Sequence, residues 1–280
     1  MIEKIFVVGG DMRQLQLANM LAEDGFLVES FALSENVGDI RRLSRADAII
    51  LPIPVSRDDI YINTPLSKER IAVRDVLDAV SPDCFVMGAC ISEEIEGMLT
   101  RRGLRFSDYY EREELIIKNA IPTAEGALEI AMHELPITIF GCRALVVGYG
   151  RVGKVMAKKL TALGADVTVS ARKQSDFAWI AESGMKSVHT GDLALYAGGF
   201  DLIINTVPTV VLTEDVLGQV NKDALIIDLA SKPGGVDMSA AKRLGINVIW
   251  ALSLPGKCAP VTSGKIIKEA IINILAETEV

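Results

Sequence analysis

The residues best placed to do chemistry lie in Ala144-Leu145-Val146-Val147-Gly148-Tyr149-Gly150-Arg151-Val152-Gly153. They spell G-x-G-x-x-G directly after an apolar run and at the opening of a helical pattern. Each glycine has its own task in such a turn. Gly148 makes the tight bend, Gly150 lets a pyrophosphate approach the main chain, and Gly153 lets helix and strand pack closely. The free N–H groups and positive dipole end of the following helix favour the phosphates. A second apolar run, Val167–Val169, falls where a dinucleotide crossover needs it. The bland alternative is a glycine turn kept only for packing.

The end of that second run decides which dinucleotide. NAD sites carry an Asp or Glu there for the ribose hydroxyls, but this chain reads Val169-Ser170-Ala171-Arg172-Lys173. A carboxylate would repel a 2′-phosphate, whereas Arg grips one with paired N–H bonds and Lys adds charge. Ser170 is expected to donate a further bond. The pattern predicts NADP over NAD, against the reading that Arg172 and Lys173 only face solvent. Two later segments, Asn205-Thr206-Val207-Pro208 and Asp228-Leu229-Ala230-Ser231-Lys232-Pro233-Gly234-Gly235, follow apolar runs. Ligands in doubly wound sheets sit beyond such strand ends, so Thr206, Val207, Pro208 and Ser231 are expected to line the ribose–nicotinamide half. Lys232 either holds an acidic substrate or is solvated, and Asp228 reads as a turn cap. Near the start, Gly9-Gly10-Asp11 is a poor phosphate turn, because Asp11 stands where a phosphate would come. Arg13, just beyond it, is the obvious cation for a substrate carboxylate; its alternative is a plain surface helix residue.

The elements that must position these residues are legible as alternation. Ile5–Val8, Ala48–Leu51, Phe85–Met87, Ala144–Val147, Val167–Val169, Leu202–Ile204, Leu225–Ile227 and Asn247–Trp250 read as buried parallel strands. Helical-period segments at Arg13–Asp24, Arg70–Val80, Ser92–Arg102, Arg151–Leu163 and Ser239–Leu244 separate them. This predicts an α/β fold of two doubly wound parallel-sheet domains, a flavodoxin-like N-terminal half and a Rossmann-type C-terminal half. The expected division is residues 1–121 for a substrate-side domain, 122–136 for a connecting helix with Pro122 in its first turn, 137–256 for the nucleotide domain, and 257–280 for a returning segment. Within the last, Thr262 or Ser263 would cap an amphipathic helix over Gly264–Glu277, which should pack on the first domain. Lys257 would face the substrate crevice.

Composition sets the outer limits. Lys and Arg total 29 against 37 Asp and Glu, a formal charge of −8, with half the residues apolar. No basic block favours nucleic acid. The longest uncharged stretch, Leu244–Gly256, is too short to span a bilayer, and the start lacks a signal peptide's pattern, so a cytosolic chain is expected. Cys84, Cys90, Cys142 and Cys258 form no C-x-x-C pair and read as small buried residues. With only His133 and His189 beside them, no metal site is expected.

Taken in order, these blocks resemble the A subunits of dipicolinate synthase from spore-forming Firmicutes. The resemblance rests on Gly9-Gly10-Asp11-Met12-Arg13-Gln14, Leu51-Pro52, Asn119-Ala120-Ile121-Pro122-Thr123-Ala124-Glu125-Gly126 and Gly148-Tyr149-Gly150-Arg151. It continues through Ile204–Pro208, Asp228–Gly235 and Leu254-Pro255-Gly256, so it spans nearly the whole chain. One departure is Val261, where a basic residue is expected. The resemblance implies a layout similar to formate/glycerate and alanine dehydrogenases. It implies oxidation of dihydrodipicolinate, or its hydrated precursor, to pyridine-2,6-dicarboxylate in the mother cell during sporulation, in partnership with a flavoprotein-like B subunit; a homo-oligomer is also expected. The carboxylate holders would come from Arg13, Lys232 and Lys257, with hydroxyls from Ser92, Thr123 and Ser231. Glu125 or Asp11 would accept the proton. The alternatives are an amino- or keto-acid dehydrogenase of the alanine dehydrogenase kind and a nucleotide-binding scaffold protein. A D-2-hydroxyacid dehydrogenase fits poorly, since no histidine follows Trp250.

Overall fold

Strand and helix alternate from the first residues onward in the computed structural model, which describes residues 2–278. In chain order the elements are β1 (Lys4–Val8), α1 (Met12–Glu23), β2 (Leu27–Phe31), β3 (Ala48–Ile50), α2 (Val73–Ala79), β4 (Phe85–Gly88), α3 (Glu93–Arg101), β5 (Arg105–Asp108) and α4 (Glu113–Glu134). There follow β6 (Arg143–Val147), α5 (Arg151–Ala162), β7 (Asp166–Ala171), α6 (Gln174–Glu182), β8 (Lys186–His189), α7 (Leu193–Tyr196), β9 (Leu202–Asn205) and α8 (Glu214–Leu217). The last are β10 (Leu225–Asp228), α9 (Met238–Leu244), β11 (Asn247–Trp250), α10 (Leu254–Cys258) and α11 (Pro260–Thr278).

The chain forms two compact units, residues 1–119 with 259–280, and residues 120–258. The first holds a five-stranded sheet in the order β2-β1-β3-β4-β5, the flavodoxin-like order. The second holds six strands, β11-β10-β9-β6-β7-β8, the Rossmann order. Every pairing is parallel. The central strands are buried on both faces, which is why they are nearly continuous runs of Val, Ile and Leu. Strands β2, β5 and β8 have no counterpart among the sequence expectations. Each is an edge strand of mostly unburied residues, so it carries neither a buried run nor a clean alternation; Asn247–Trp250, expected as a buried strand, is β11 at the other edge of the second sheet and has no buried residue.

Two expectations about helices need correction. Pro122 does not open a connecting helix over 122–136. It stands inside α4, with Leu115 and Ala120 buried before it and Ala124, Ala127, Leu128 and Ala131 after it. An interior proline costs one ladder bond, about 3 kcal/mol in an isolated helix. Burial along both halves outweighs that, and the passage between the units falls at the same turn. The last helix does not begin at Gly264 either. Leu254–Cys258 form α10 and α11 begins at Pro260, so Thr262 and Ser263 are internal to α11 rather than caps. Of the cysteines, Cys84 and Cys142 are buried and their thiols are pushed up to about 12 and about 11 by desolvation. Cys90 and Cys258 are exposed instead, at the ends of β4 and α10. Among the described residues no helix is long and apolar enough to cross a membrane.

Helix α11 does pack in the first unit, burying Ile266, Ile267, Ala270, Ile271, Ile274 and Leu275 in the cluster that holds Leu17 and Leu21 of α1. Gly264 is the closest approach: a β-carbon there would lie 2.8 Å from the Arg13 carbonyl oxygen and 2.9 Å from Gln16 Cβ. Arg112 fastens the far end, its Nη1 and Nη2 each 2.7 Å from a Glu277 carboxylate oxygen. Gly264→Val is expected to lower stability by about 1–3 kcal/mol through overpacking, read as a drop in thermal midpoint, whereas Val261→Ala on the exposed side leaves it nearly unchanged.

Candidate functional site

The turn after β6 has the geometry its glycines predict. Gly148 has φ +96°, and its N–H donates to the Ser170 carbonyl at 3.0 Å. A β-carbon on it would lie 2.7 Å from Thr206 Oγ1 and 2.8 Å from Val207 Cγ2. Thr206 lies there because its hydroxyl and its N–H both donate to the Val147 carbonyl at 2.9 Å. Gly153 is tighter still: its β-carbon would be 2.1 Å from the Gly148 carbonyl oxygen. Gly150 is the opposite case, with no atom within 4 Å of the built β-carbon. It is the N-cap of α5, no side chain caps it, and the first turn carries no acid. Tyr149 is half-buried beneath Lys154, whose Nζ stands 5.3 Å from the ring centroid. Arg151 and Val152 begin α5. Two glycines are thus filled by protein and one is left open at an uncapped helix N-terminus, the arrangement that fits a pyrophosphate.

At the end of β7, Arg172 and Lys173 are exposed, and Lys173 is the N-cap of α6. No carboxylate lies in that turn before Asp176. Ser170 is misplaced for the part expected of it. Its side chain is fully buried, with Oγ 3.3 Å from Thr190 Oγ1, because β7 is an interior strand covered on both faces. A buried hydroxyl cannot meet a ribose phosphate.

The loops after β9 and β10 are built by one buried pair. Asn205 Nδ2 donates to Asp228 Oδ1 at 2.7 Å and to the Val207 carbonyl at 3.0 Å. Asp228 also accepts from the N–H groups of Ala230 and Gly235, at 3.0 and 2.8 Å. Gly235 is obligatory, since a β-carbon would fall 2.1 Å from Asn205 Nδ2. Asp228 therefore shapes the turn rather than reacting. Around it Pro208, Ser231 and Lys232 are exposed, and Lys232 makes no ion pair among the described residues.

The first unit's glycine turn is closed. A β-carbon on Gly9 would meet Ile62 Cγ2 at 2.8 Å, and one on Gly10 would meet Gln14 Cγ at 2.6 Å. The loop after β3 lies over the turn, held by the Gly10 N–H donating to the Asn63 carbonyl at 2.9 Å. Asp11 caps α1 in a box with Gln14. Arg13 is not an open cation: it is 6% exposed, its Nε lies 2.9 and 3.2 Å from the Asp11 oxygens, and its Nη2 lies 2.8 Å from Oδ2. Burial acts to raise the Asp11 carboxyl, but the bonds and charge of Arg13 outweigh it and hold Asp11 below the usual carboxylate value. Among the remaining candidates, Ser92 caps α3. Thr123 is half-buried inside α4. Glu125 is mid-helix and paired with Lys159 at 2.8 Å, so it caps nothing. Lys257 is exposed on α10, beside a groove of about 560 Å³ that also includes His133 and Trp250.

A Rossmann-order sheet with this turn defines a nicotinamide-nucleotide-dependent oxidoreductase, and residues 144–232 match the family described as NADP oxidoreductase coenzyme F420-dependent. Residues 4–110 match the N-terminal domain of the dipicolinate synthase A subunit. The chain belongs to the dipicolinate synthase A-subunit family: it is 34% identical to the A subunit of dipicolinate synthase from Bacillus subtilis (strain 168), over 99% of this chain and 97% of that one. The crystal structure of the dipicolinate synthase A subunit from Bacillus halodurans is similar at a TM-score of 0.89 and 31% identity, covering 98% of each chain. In fold alone, the transhydrogenase from Sinorhizobium meliloti is similar at a TM-score of 0.74 and 15% identity, over 99% of this chain and 94% of that one. Formate and alanine dehydrogenase structures share the fold as well.

Two outcomes follow from this geometry. Gly153→Ala is expected to lose both stability and coenzyme binding, while Gly150→Ala keeps its thermal midpoint and loses coenzyme affinity alone, seen by paired melting and fluorescence titration. Asp11, with its carboxyl held low in the folded state, contributes stability above its unfolded value near 3.8, and this is lost as pH falls through the lower folded value. The stability gap between wild type and Asp11→Asn should therefore be full at neutral pH and close on acidification below that value, measured by urea unfolding at each pH.

Proposed function

We propose that this chain oxidises dihydrodipicolinate, or its hydrated precursor, to pyridine-2,6-dicarboxylate with NADP, working with a B subunit. Family membership and the name of the Bacillus subtilis relative support the substrate class and the partner. The observation that carries the coenzyme choice is the end of β7, where Arg172 and Lys173 are exposed and the usual ribose carboxylate is missing.

Bound NADP would supply the hydride acceptor. The chain's part is to hold and orient. The N-terminus of α5 takes the pyrophosphate at Gly150, Arg172 and Lys173 take the 2′-phosphate, and the loops 205–208 and 228–235 support the ribose–nicotinamide half, with Ser231 and Lys232 at their edge. Dihydrodipicolinate loses a hydride and a proton and becomes aromatic (the hydrated precursor sheds a water as well), so the driving force lies in the product and positioning matters more than a strong base. Asp11 and Glu125 are each tied in an ion pair, which makes them poor proton acceptors; the proton passes to water. The division into a substrate-side unit and a nucleotide unit is part of the same proposal.

Arg172→Ala combined with Lys173→Ala is expected to weaken NADP binding by about tenfold to a hundredfold, the scale of charge-assisted bonds, with NAD binding little changed, both by calorimetry. Mixing the chain alone with NADP and freshly generated dihydrodipicolinate should give NADPH in the first turnover. Intact NADP binding with no NADPH formed unless the B subunit is added would replace this reading with that of a nucleotide-binding scaffold.

A further inference from the structure

In the first unit the strand order reverses between β1 and β3, and the crevice of a doubly wound sheet opens at that reversal, beyond the strand ends. Two segments bound it: the closed turn Gly9–Asp11 and the loop that leaves β3 and returns at α2. Three cations lie on that loop, and two are engaged. Lys68 pairs with Glu35 at 3.0 Å. Arg70 pairs with Asp58 at 3.6 Å and lies 3.9 Å from the Tyr61 ring centroid. The third, Arg57, is exposed and makes no ion pair among the described residues. Its one side-chain hydrogen bond among the described residues is from Nε to Asn63 Oδ1, at 3.4 Å.

We propose that Arg57, not Arg13, is the residue of this unit that takes a substrate carboxylate, with Asn63 as its positioning residue. The proposal rests on the dicarboxylate reading above. The ion pairs support it. Arg13 already occupies both Asp11 oxygens, and Asp58, next to Arg57 in the chain, pairs with Arg70 and not with Arg57. Asn63, which accepts from Arg57, donates to the Ile53 carbonyl that Arg13 also reaches, so the two arginines share one corner of the crevice.

The loop is also ordered in advance of a ligand. Val55 N–H donates to the Ala89 carbonyl and Asn63 N–H to the Val55 carbonyl, each at 2.9 Å. Ser56 and Ile62 form an antiparallel bridge across the loop. Asn63 Nδ2 donates to the Ile53 carbonyl at 3.3 Å, and Arg13 Nη2 reaches the same oxygen at 3.4 Å. Among the described residues neither Nη group of Arg57 has a hydrogen-bond partner. A guanidinium with its terminal nitrogens open matches a carboxylate bidentately, with little ordering left to do.

The test is calorimetric titration of the full chain, saturated with NADPH, with pyridine-2,6-dicarboxylate and with pyridine-2-carboxylate. Arg57→Gln is expected to weaken the dicarboxylate by about tenfold to a hundredfold and to reduce the preference for two carboxylates over one. Thermal midpoint and NADPH affinity should stay as in wild type. Arg41→Gln, removing an exposed arginine paired with Asp39, should leave both pyridine acids bound as before. Unchanged dicarboxylate affinity in Arg57→Gln overturns the assignment while leaving the dicarboxylate reading intact. A wild-type chain that binds NADPH but neither pyridine acid overturns that reading and the assignment together.

Discussion

A β-carbon on Gly153 would stand 2.1 Å from the Gly148 carbonyl oxygen, closer than any side chain can come. Helix α5 therefore begins against the end of β6 with nothing between them, and its N-terminus points out over the open face at Gly150. The rest of the second unit is arranged around that contact. Strand β9 pairs with β6 and delivers Thr206, whose hydroxyl shares the Val147 carbonyl and fills the space beside Gly148. The Asn205–Asp228 pair then fixes the two loops that follow β9 and β10. Burying a carboxylate is costly unless its oxygens are bonded. Here both Asp228 oxygens are, and the bonds they accept set the shape of the turn.

The two glycine turns of the chain show how one local pattern serves opposite ends. After β1 the space that the glycines leave is filled by the chain itself, by Ile62, Asn63 and Gln14, and Asp11 supplies its own helix cap. After β6 the corresponding cap is absent, and at Gly150 the space stays open. An acidic residue at the cap position both satisfies the helix end and repels phosphate. A glycine there leaves the same donors available. The residue at the N-cap, with the side chains packed around the glycines, thus separates a turn closed by its own chain from one left open.

Paired charges mark a second division. Arg13 and Glu125 are conspicuous in the sequence, yet each is committed to a neighbour, Asp11 or Lys159. Arg57, in a loop with no regular pattern, keeps an open guanidinium. A cation already bonded at both carboxylate oxygens has little left to offer a ligand, so the partner, and not the residue type, sets what an arginine can do.

Sequence by itself determined the layers, the buried strands, the glycine turn at Gly148–Gly153 and the missing carboxylate after β7. Those features are local: a strand covered on both faces must be apolar along its length, and a backbone that a phosphate must approach cannot carry a β-carbon. Tertiary structure alone decided the edge strands β2, β5 and β8, the continuation of α4 through Pro122, the burial of Ser170 and the pairing of Arg13. In each of these the deciding atoms come from elsewhere in the chain: a neighbouring strand that supplies the hydrogen bonds, a core that outweighs a lost helix bond, a second sheet face that covers a hydroxyl, a carboxylate that folds back onto its own arginine. Residue spacing carries the first kind of information and not the second, because energy exchanged between distant segments leaves no period in the sequence.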